Sequence, residues 1–214
     1  MGAQMSVGRI IETDACVSEG AAWLAKHEPR FAAALDLVGP LPLRRKPDGF
    51  PQLLNAIVGQ QVSVASANAI WAKLEAAGMH TDQAIRKVDE DHMRSLGLSR
   101  QKARYACALA NADIDYDALR AAQTEDVIKT LTKVPGIGTW TAEIYAMFSL
   151  GRADIFASGD LALQEGARVL FDLDNRPNEK QMRAMAQDWS PWQSVAARIL
   201  WAYYAYMKKR EGIR

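Results

Sequence analysis

The sequence predicts an all-α protein, and three observations carry the prediction. Apolar residues recur at intervals of three and four along most of the chain, the spacing that gives a helix one buried face. Ser, Thr, Asp or Asn precedes most of these runs and Gly or Pro often follows, as helix starts and stops require. No stretch shows the two-residue alternation of a half-buried strand, and no internal repeat or low-complexity segment interrupts the pattern.

In chain order, residues 1–7 read as a loose end. Residues 19–38 read as one helix with Ala22, Leu24, Phe31, Leu35 and Val38 on a single face. Gly39-Pro40-Leu41-Pro42 stops it, because proline lacks the N–H donor and clashes with the preceding turn. Residues 40–50, with Arg44, Arg45, Lys46 and Pro47, read as a linker. Pro51 opens a helix with Leu53, Leu54, Ile57 and Val58 inward, and Gly59 interrupts it. Ser63 caps the next, 64–76, which packs Ala65, Ile70, Trp71 and Leu74. Thr81 and Asp89 cap two short helices ending at Gly97. Ser99 caps another over 100–111, with Ala103, Ala106, Leu109 and Ala110 inward and Arg100 and Lys102 near its exposed start. Thr124 caps a helix that turns Val127, Ile128 and Leu131 inward, and the helix over 139–150 packs Ala142, Ala146, Met147 and Phe148. A further helix begins at Asp160, ahead of Leu161, Leu163, Val169 and Leu170. Asn178 and Ser190 cap the last two, with Pro191 at a favoured first position, and the closing helix, 192–209, is rich in Trp201, Tyr203, Tyr204 and Tyr206.

With 214 residues, 49% of them hydrophobic, the chain suffices for one large domain or two small lobes with real cores. No apolar run reaches membrane-spanning length and the N-terminus lacks a signal-peptide pattern. Two cysteines, Cys16 and Cys107, argue for a reducing compartment and against both a disulfide framework and a four-cysteine iron–sulfur site. Three histidines and no Cys/His cluster argue against structural zinc. A formal charge of +1 does not advertise nucleic acid by itself. DNA binding would need a local basic surface, for which Arg44-Arg45-Lys46, Arg100/Lys102/Arg104, Lys129/Lys133 and Lys208-Lys209-Arg210 are the candidates; each cluster alone equally suits an ordinary solvated face.

Residues 131–163 carry the chemistry: a short hairpin, Val134-Pro135-Gly136-Ile137-Gly138, an apolar helix, a loop, and the lone acid Asp160. Two glycines around one aliphatic residue make a tight turn whose main chain can approach another molecule closely. The helix beginning at Gly138 and Thr139 then offers free N–H groups and the positive end of its dipole, a seat for phosphate. Pro-Gly turns also join many helix pairs with no ligand at all. The polar tip Gly59-Gln60-Gln61-Val62 between two apolar helices likewise suits a plain connecting turn. Asp160 reads most simply as an N-cap, worth about 1 kcal/mol to its helix. That role is compatible with chemistry, since a helix N-terminus favours an anion.

The string Val134-Pro135-Gly136-Ile137-Gly138-x-Trp140-Thr141-Ala142, followed by an apolar helix, a loop and Asp160, resembles the helix-hairpin-helix DNA glycosylase superfamily. Trp140-Thr141-Ala142 and Trp189-Ser190-Pro191-Trp192 are similar to the DNA-3-methyladenine glycosylase II branch. Ile57-Val58-Gly59-Gln60-Gln61-Val62-Ser63 and Leu96-Gly97-Leu98-Ser99, followed by Lys102-Ala103, add two further matches in the same order, so the resemblance covers roughly residues 51–201.

The resemblance implies two helical lobes with a cleft between the lobes: residues 51–150 as the helix-hairpin-helix lobe, and residues 1–50 with 151–214 as the lobe carrying the catalytic Asp160. It implies hydrolysis of the N-glycosidic bond of alkylated purines in base excision repair, by base flipping and Asp-assisted attack of water. Gln61 falls at the position that enters the gap left by the extruded nucleotide, with Gln60 beside it; glutamine there replaces an aliphatic wedge and could hydrogen-bond the orphaned base. Trp140 stands where relatives that also cut the backbone carry a lysine nucleophile, and a tryptophan forms no Schiff base. A monofunctional enzyme follows. Trp140, Tyr145, Trp192 and Trp201 are the candidates for an aromatic wall against the base; Trp201 and, less so, Tyr145 also suit the core, which leaves Trp140, Trp192 and Tyr145 as the base-pocket set, and Ile144 stands in place of the family's tyrosine beside the base. Val134, Gly136, Ile137, Gly138 and Thr139 form the phosphate-binding hairpin, whose carbonyls can hold a monovalent cation; no other cofactor is implied. The partner is damaged DNA, and the expected protein is a monomer in the cytoplasm, associated with the nucleoid. Two other readings stay open: a glycosylase for oxidised or deaminated bases, and a non-catalytic DNA-binding module in which Asp160 is merely a cap.

Overall fold

A computed structural model describes residues 7–210, so the first six residues of the predicted loose end lie outside the described residues. Thirteen helices and no strand are found among the described residues; Ile10 and Arg152 form an isolated antiparallel bridge. The helices are α1 (Asp14–His27), α2 (Pro29–Val38), α3 (Phe50–Gly59), α4 (Val64–Ala76), α5 (Asp82–Ile85), α6 (Glu90–Ser95) and α7 (Arg100–Ala110). They continue with α8 (Tyr116–Ala121), α9 (Thr124–Leu131), α10 (Thr139–Phe148), α11 (Leu161–Leu170), α12 (Glu179–Gln187) and α13 (Gln193–Arg210). The chain divides into two compact units, Lys46–Tyr145 and Met1–Arg45 with Ala146–Arg214. The breaks fall about five residues before the boundaries expected from the motifs.

In the unit Lys46–Tyr145, α3 and α7 pack together, and α4, α5 and α6 attach to one or the other. The packed faces are those the apolar spacing selects: Leu53, Leu54, Ile57 and Val58 of α3, and Ala103, Ala106, Leu109 and Ala110 of α7, are buried. Ser63, Thr81, Asp89 and Ser99 each accept a main-chain N–H at their helix start. Two details differ from expectation. Gln123, not Thr124, holds the N-cap position of α9 and makes no side-chain cap. In α4 only Leu74 is buried, and Ala65 faces solvent.

In the other unit, α13 is central. Its residues from Gln193 to Leu200 are all buried, and α1, α2 and α11 pack against it. Gly166 permits the α11 contact, since a Cβ there would lie 2.8 Å from the Leu200 carbonyl. The helix expected over 19–38 is two helices. Glu28 adopts an extended conformation (φ −136°, ψ 103°) because Pro29 disfavours helical geometry at the residue before it. Ser190 caps nothing; its Oγ donates to Asp154 Oδ2 at 2.7 Å, and α13 starts at Gln193, two residues beyond Pro191. The segment read as a linker is pinned within this unit at two points. Arg45 Nη1 donates to the carbonyls of Phe148 and Ser149 at 3.1 and 2.7 Å, where α10 ends with unsatisfied acceptors. The buried Arg198 donates to Leu43 O at 3.0 Å and to Ser194 O at 2.8 Å, with its guanidinium 4.8 Å from the Phe148 ring centre. Burial, with Arg44 and Arg45 nearby, pushes the Arg198 guanidinium down to about 10.

Candidate functional site

The hairpin lies in the unit Lys46–Tyr145, between α9 and α10. Val134 and Ile137 are buried and lock it down, with Ile137 N–H donating to Val134 O at 3.0 Å. Its two glycines answer different needs. Gly136 has φ +92°, and a Cβ would lie 2.4 Å from the Tyr105 ring, so both conformation and packing demand glycine. Gly138 needs glycine for neither reason: a Cβ at that position would meet nothing within 4 Å. Its carbonyl accepts Ala142 N–H at 3.0 Å, which makes it the N-cap of α10 with no side chain in front of the helix start. Gly138, Thr139 and Trp140 are exposed there. The surface is bare main chain at a helix N-terminus, the arrangement that admits a phosphate oxygen.

The Gln60–Gln61 tip stands beside this hairpin in the same unit. Together with Ser99, Gln101, Lys102 and Tyr105 they line a cavity of about 630 Å³. The two glutamines diverge. Gln60 is turned to the hairpin, its Nε2 donating to Gly136 O at 2.9 Å. Gln61 is exposed and has φ +55°, a left-handed conformation unusual for a residue with a Cβ. Its neighbours Val62 and Val64 are 40% and 78% exposed, so the tip also carries aliphatic surface that apolar spacing does not reveal. Lys102, expected at an exposed helix start, is buried; its Nζ donates to Val58 O at 2.7 Å, and burial lowers its pKa.

Asp160 belongs to the other unit and is the N-cap of α11. Its Oδ1 accepts three hydrogen bonds: Ala162 N at 2.9 Å, Leu163 N at 3.0 Å and Trp201 Nε1 at 3.2 Å. The loop behind it is braced by Gln164 Nε2 donating to Ser158 O at 2.9 Å and by Asp160 N donating to Ala157 O at 3.0 Å. The carboxylate is half-buried, fixed by two helix-start amides and an indole, and set against the positive end of a helix dipole. Trp201 is half-buried beside it and packs against Phe148 at 5.8 Å between ring centres.

The base-pocket candidates are redistributed. Trp140 is 47% exposed in the first turn of α10. Tyr145 is core: its hydroxyl accepts Gly49 N–H at 2.8 Å, and burial pushes the phenol up to about 12. Trp192 is core as well, with Arg9 4.7 Å from its ring centre and Gly20 so close that a Cβ there would meet the ring at 2.6 Å. Trp201, which apolar periodicity assigns to the core, meets Asp160 through its indole N–H.

A helical bundle with a glycine hairpin and an aspartate at a later helix start defines a class of DNA-repair fold. The match to the HhH-GPD superfamily of base excision DNA repair proteins covers residues 54–191, and the chain belongs to that family. It is 29% identical over 168 residues to the Escherichia coli DNA-3-methyladenine glycosylase 2, covering 72% of this chain and 57% of that one. The chain thus spans little more than half the length of some relatives it matches. The crystal structure of a Bacillus halodurans DNA-3-methyladenine glycosidase superposes with a TM-score of 0.81 at 29% identity, covering 94% of each chain. The Schizosaccharomyces pombe 3-methyladenine DNA glycosylase Mag1, solved in complex with abasic DNA, superposes at 0.72 with 26% identity over 86% of this chain and 95% of that one. No helix among the described residues is long and apolar enough to cross a membrane.

Proposed function

We propose that the chain is a monofunctional DNA glycosylase that hydrolyses the N-glycosidic bond of alkylated purines of the 3-methyladenine and 7-methylguanine type. The observation that carries this is Asp160, whose Oδ1 is fixed by three N–H donors at the start of α11. In the reaction the bond from the sugar carbon to the purine nitrogen breaks and both electrons leave with the base. An alkylated purine, already cationic, departs neutral and needs no strong general acid. The positive charge left on the sugar resembles that of glycoside hydrolysis. An anion about 4 Å away stabilises such a cation by on the order of 4 kcal/mol at an effective dielectric near 20. Water then bonds to the sugar carbon and loses a proton, which the same carboxylate can orient or accept.

The half-buried Trp201 ring beside Asp160 offers a wall for a cationic base, with cation–π attraction of about 0.5–2 kcal/mol. Trp140, in place of an amine nucleophile, supports release of an abasic site without strand cleavage. The hairpin amides near Gly138 would hold a phosphate. Hairpin carbonyls suit a monovalent cation: Val134 O and Gly136 O each accept one hydrogen bond, leaving a second lone pair, and no carboxylate intrudes to favour a divalent ion. Held there, the monovalent cation would supply positive charge toward a DNA phosphate. The working form we propose is a monomer acting on damaged DNA in the nucleoid.

The test is release of free base from randomly methylated DNA by wild type and Asp160→Asn. Asparagine retains the cap and removes the charge. Release should fall by about a hundredfold or more while affinity for undamaged duplex stays within about twofold, since the lost term is on the order of 3–4 kcal/mol. Full activity of the variant would overturn the mechanism. No release by either protein would redirect the assay to duplexes carrying oxidised or deaminated bases.

A further inference from the structure

We infer that Gln60 is a positioning residue: its amide ties the tip that would enter the duplex to the hairpin that would hold the phosphate, so the two reach DNA as one preassembled surface. The inference rests on the glycosylase reading for its meaning, and on geometry within the unit Lys46–Tyr145 for its content.

Gln60 is the C-cap of α3, where the backbone leaves the helix (φ −62°, ψ 130°). Beyond it, residues 61–66 are all exposed, so no core contact orients the tip. Gln60 is therefore the last anchored side chain before the turn, and its anchor is the Gly136 carbonyl at 2.9 Å. That carbonyl belongs to the one hairpin residue whose conformation is dictated twice, by a φ of +92° and by the Tyr105 ring. The tip is thus referenced to the most rigid point of the hairpin. Lys102 supplies a second brace just before it in the chain, its ammonium donating to Val58 O at 2.7 Å. With both points fixed, the left-handed Gln61 (φ +55°) projects in one direction instead of several. A glutamine that only filled space, or only met an orphaned base, would not need its Nε2 on a main-chain oxygen.

The variants are Gln60→Ala, which removes the amide, and Gln60→Glu, which keeps the size but presents no donor to the carbonyl at neutral pH. Gln60→Lys restores a donor. Affinity is measured by fluorescence anisotropy for an undamaged duplex and for the same duplex containing a tetrahydrofuran abasic analogue. The wild-type preference for the abasic duplex should fall about tenfold in Ala and Glu, the scale of one well-placed hydrogen bond. Affinity of the uncharged Ala variant for the undamaged duplex, carried by the hairpin, should stay within about twofold, and Lys should recover part of the preference. An unchanged preference in both Ala and Glu, or an equal loss on both duplexes, would overturn the inference. Wild-type base release from methylated DNA is measured alongside. Preference lost in the variants without wild-type release would overturn the glycosylase reading and keep the brace; release with an intact preference would do the reverse.

Discussion

An aspartate at a helix start is ordinarily a cap, and Asp160 is one. What separates it from Thr81, Asp89 or Ser99 is its third partner. Those caps accept main-chain N–H groups and face solvent, whereas Asp160 also accepts the indole N–H of Trp201 at 3.2 Å. A half-buried tryptophan that donates to a half-buried carboxylate fixes where the negative charge sits, which is what stabilising a developing cation requires. The consequence is measurable. Trp201→Phe keeps an aromatic wall and removes the donor. A hydrogen bond to a charged group is worth about 1.5–3 kcal/mol, so kcat for base release should fall by about tenfold or more, with thermal stability reduced by only about 1 kcal/mol. An unchanged kcat would mean that the indole serves packing alone. The contacts of Trp201 and Gln60 are not legible in the sequence, and for one reason. Their partners lie 41 and 76 residues away, and local spacing carries no information about contacts at that range.

Among the elements, the hairpin is where sequence and structure agree most closely, because its rules are local. Gly136 takes the left-handed bend of the tight turn and α10 starts at Thr139, as the sequence predicts; that Val134 and Ile137 turn inward is added by the structure. Most caps and the inward faces of α3 and α7 are legible on the same grounds. The split between α1 and α2 is marked by Pro29, but apolar spacing continues across the break and masks it. The structure adds that the hairpin's glycines are not equivalent, and this separates stability from binding. Gly136→Ala forces a Cβ to 2.4 Å from Tyr105 at φ +92° and should cost about 2–4 kcal/mol, read as a lower denaturation midpoint. Gly138→Ala meets nothing within 4 Å and should change stability by about 1 kcal/mol or less. A side chain there would nevertheless stand in front of the helix start, so its affinity for duplex DNA should fall about tenfold. Retained affinity in a stable Gly138→Ala protein would remove the hairpin from the binding surface.

At the level of the whole chain, a formal charge of +1 and a DNA substrate look incompatible until the charges are placed. Many basic residues are already engaged. Arg86, Arg94, Arg120, Arg168 and Arg183 each pair with an acid, Arg45 serves the carbonyls of Phe148 and Ser149, and Lys102 is buried on Val58 O. Charge runs in the sequence therefore overstate the basic surface, since a run does not reveal which members meet partners. On the proposed reading the hairpin would meet phosphate through main-chain amides and a helix dipole, which displace few condensed counterions; only cationic side chains do so in proportion. Exposed cations, chiefly Lys133, which lines the hairpin cavity, with Arg100, Arg104 and Lys129 elsewhere in the same unit, can neutralise a handful of phosphates. At about 0.9 per phosphate, the plot of log affinity against log salt concentration should have a slope of about −3 between roughly 50 and 200 mM. Lys133→Ala should make it shallower by about one. A wild-type slope steeper than about −6 would show that charged side chains dominate binding, and the main-chain hairpin would then be secondary to a basic face.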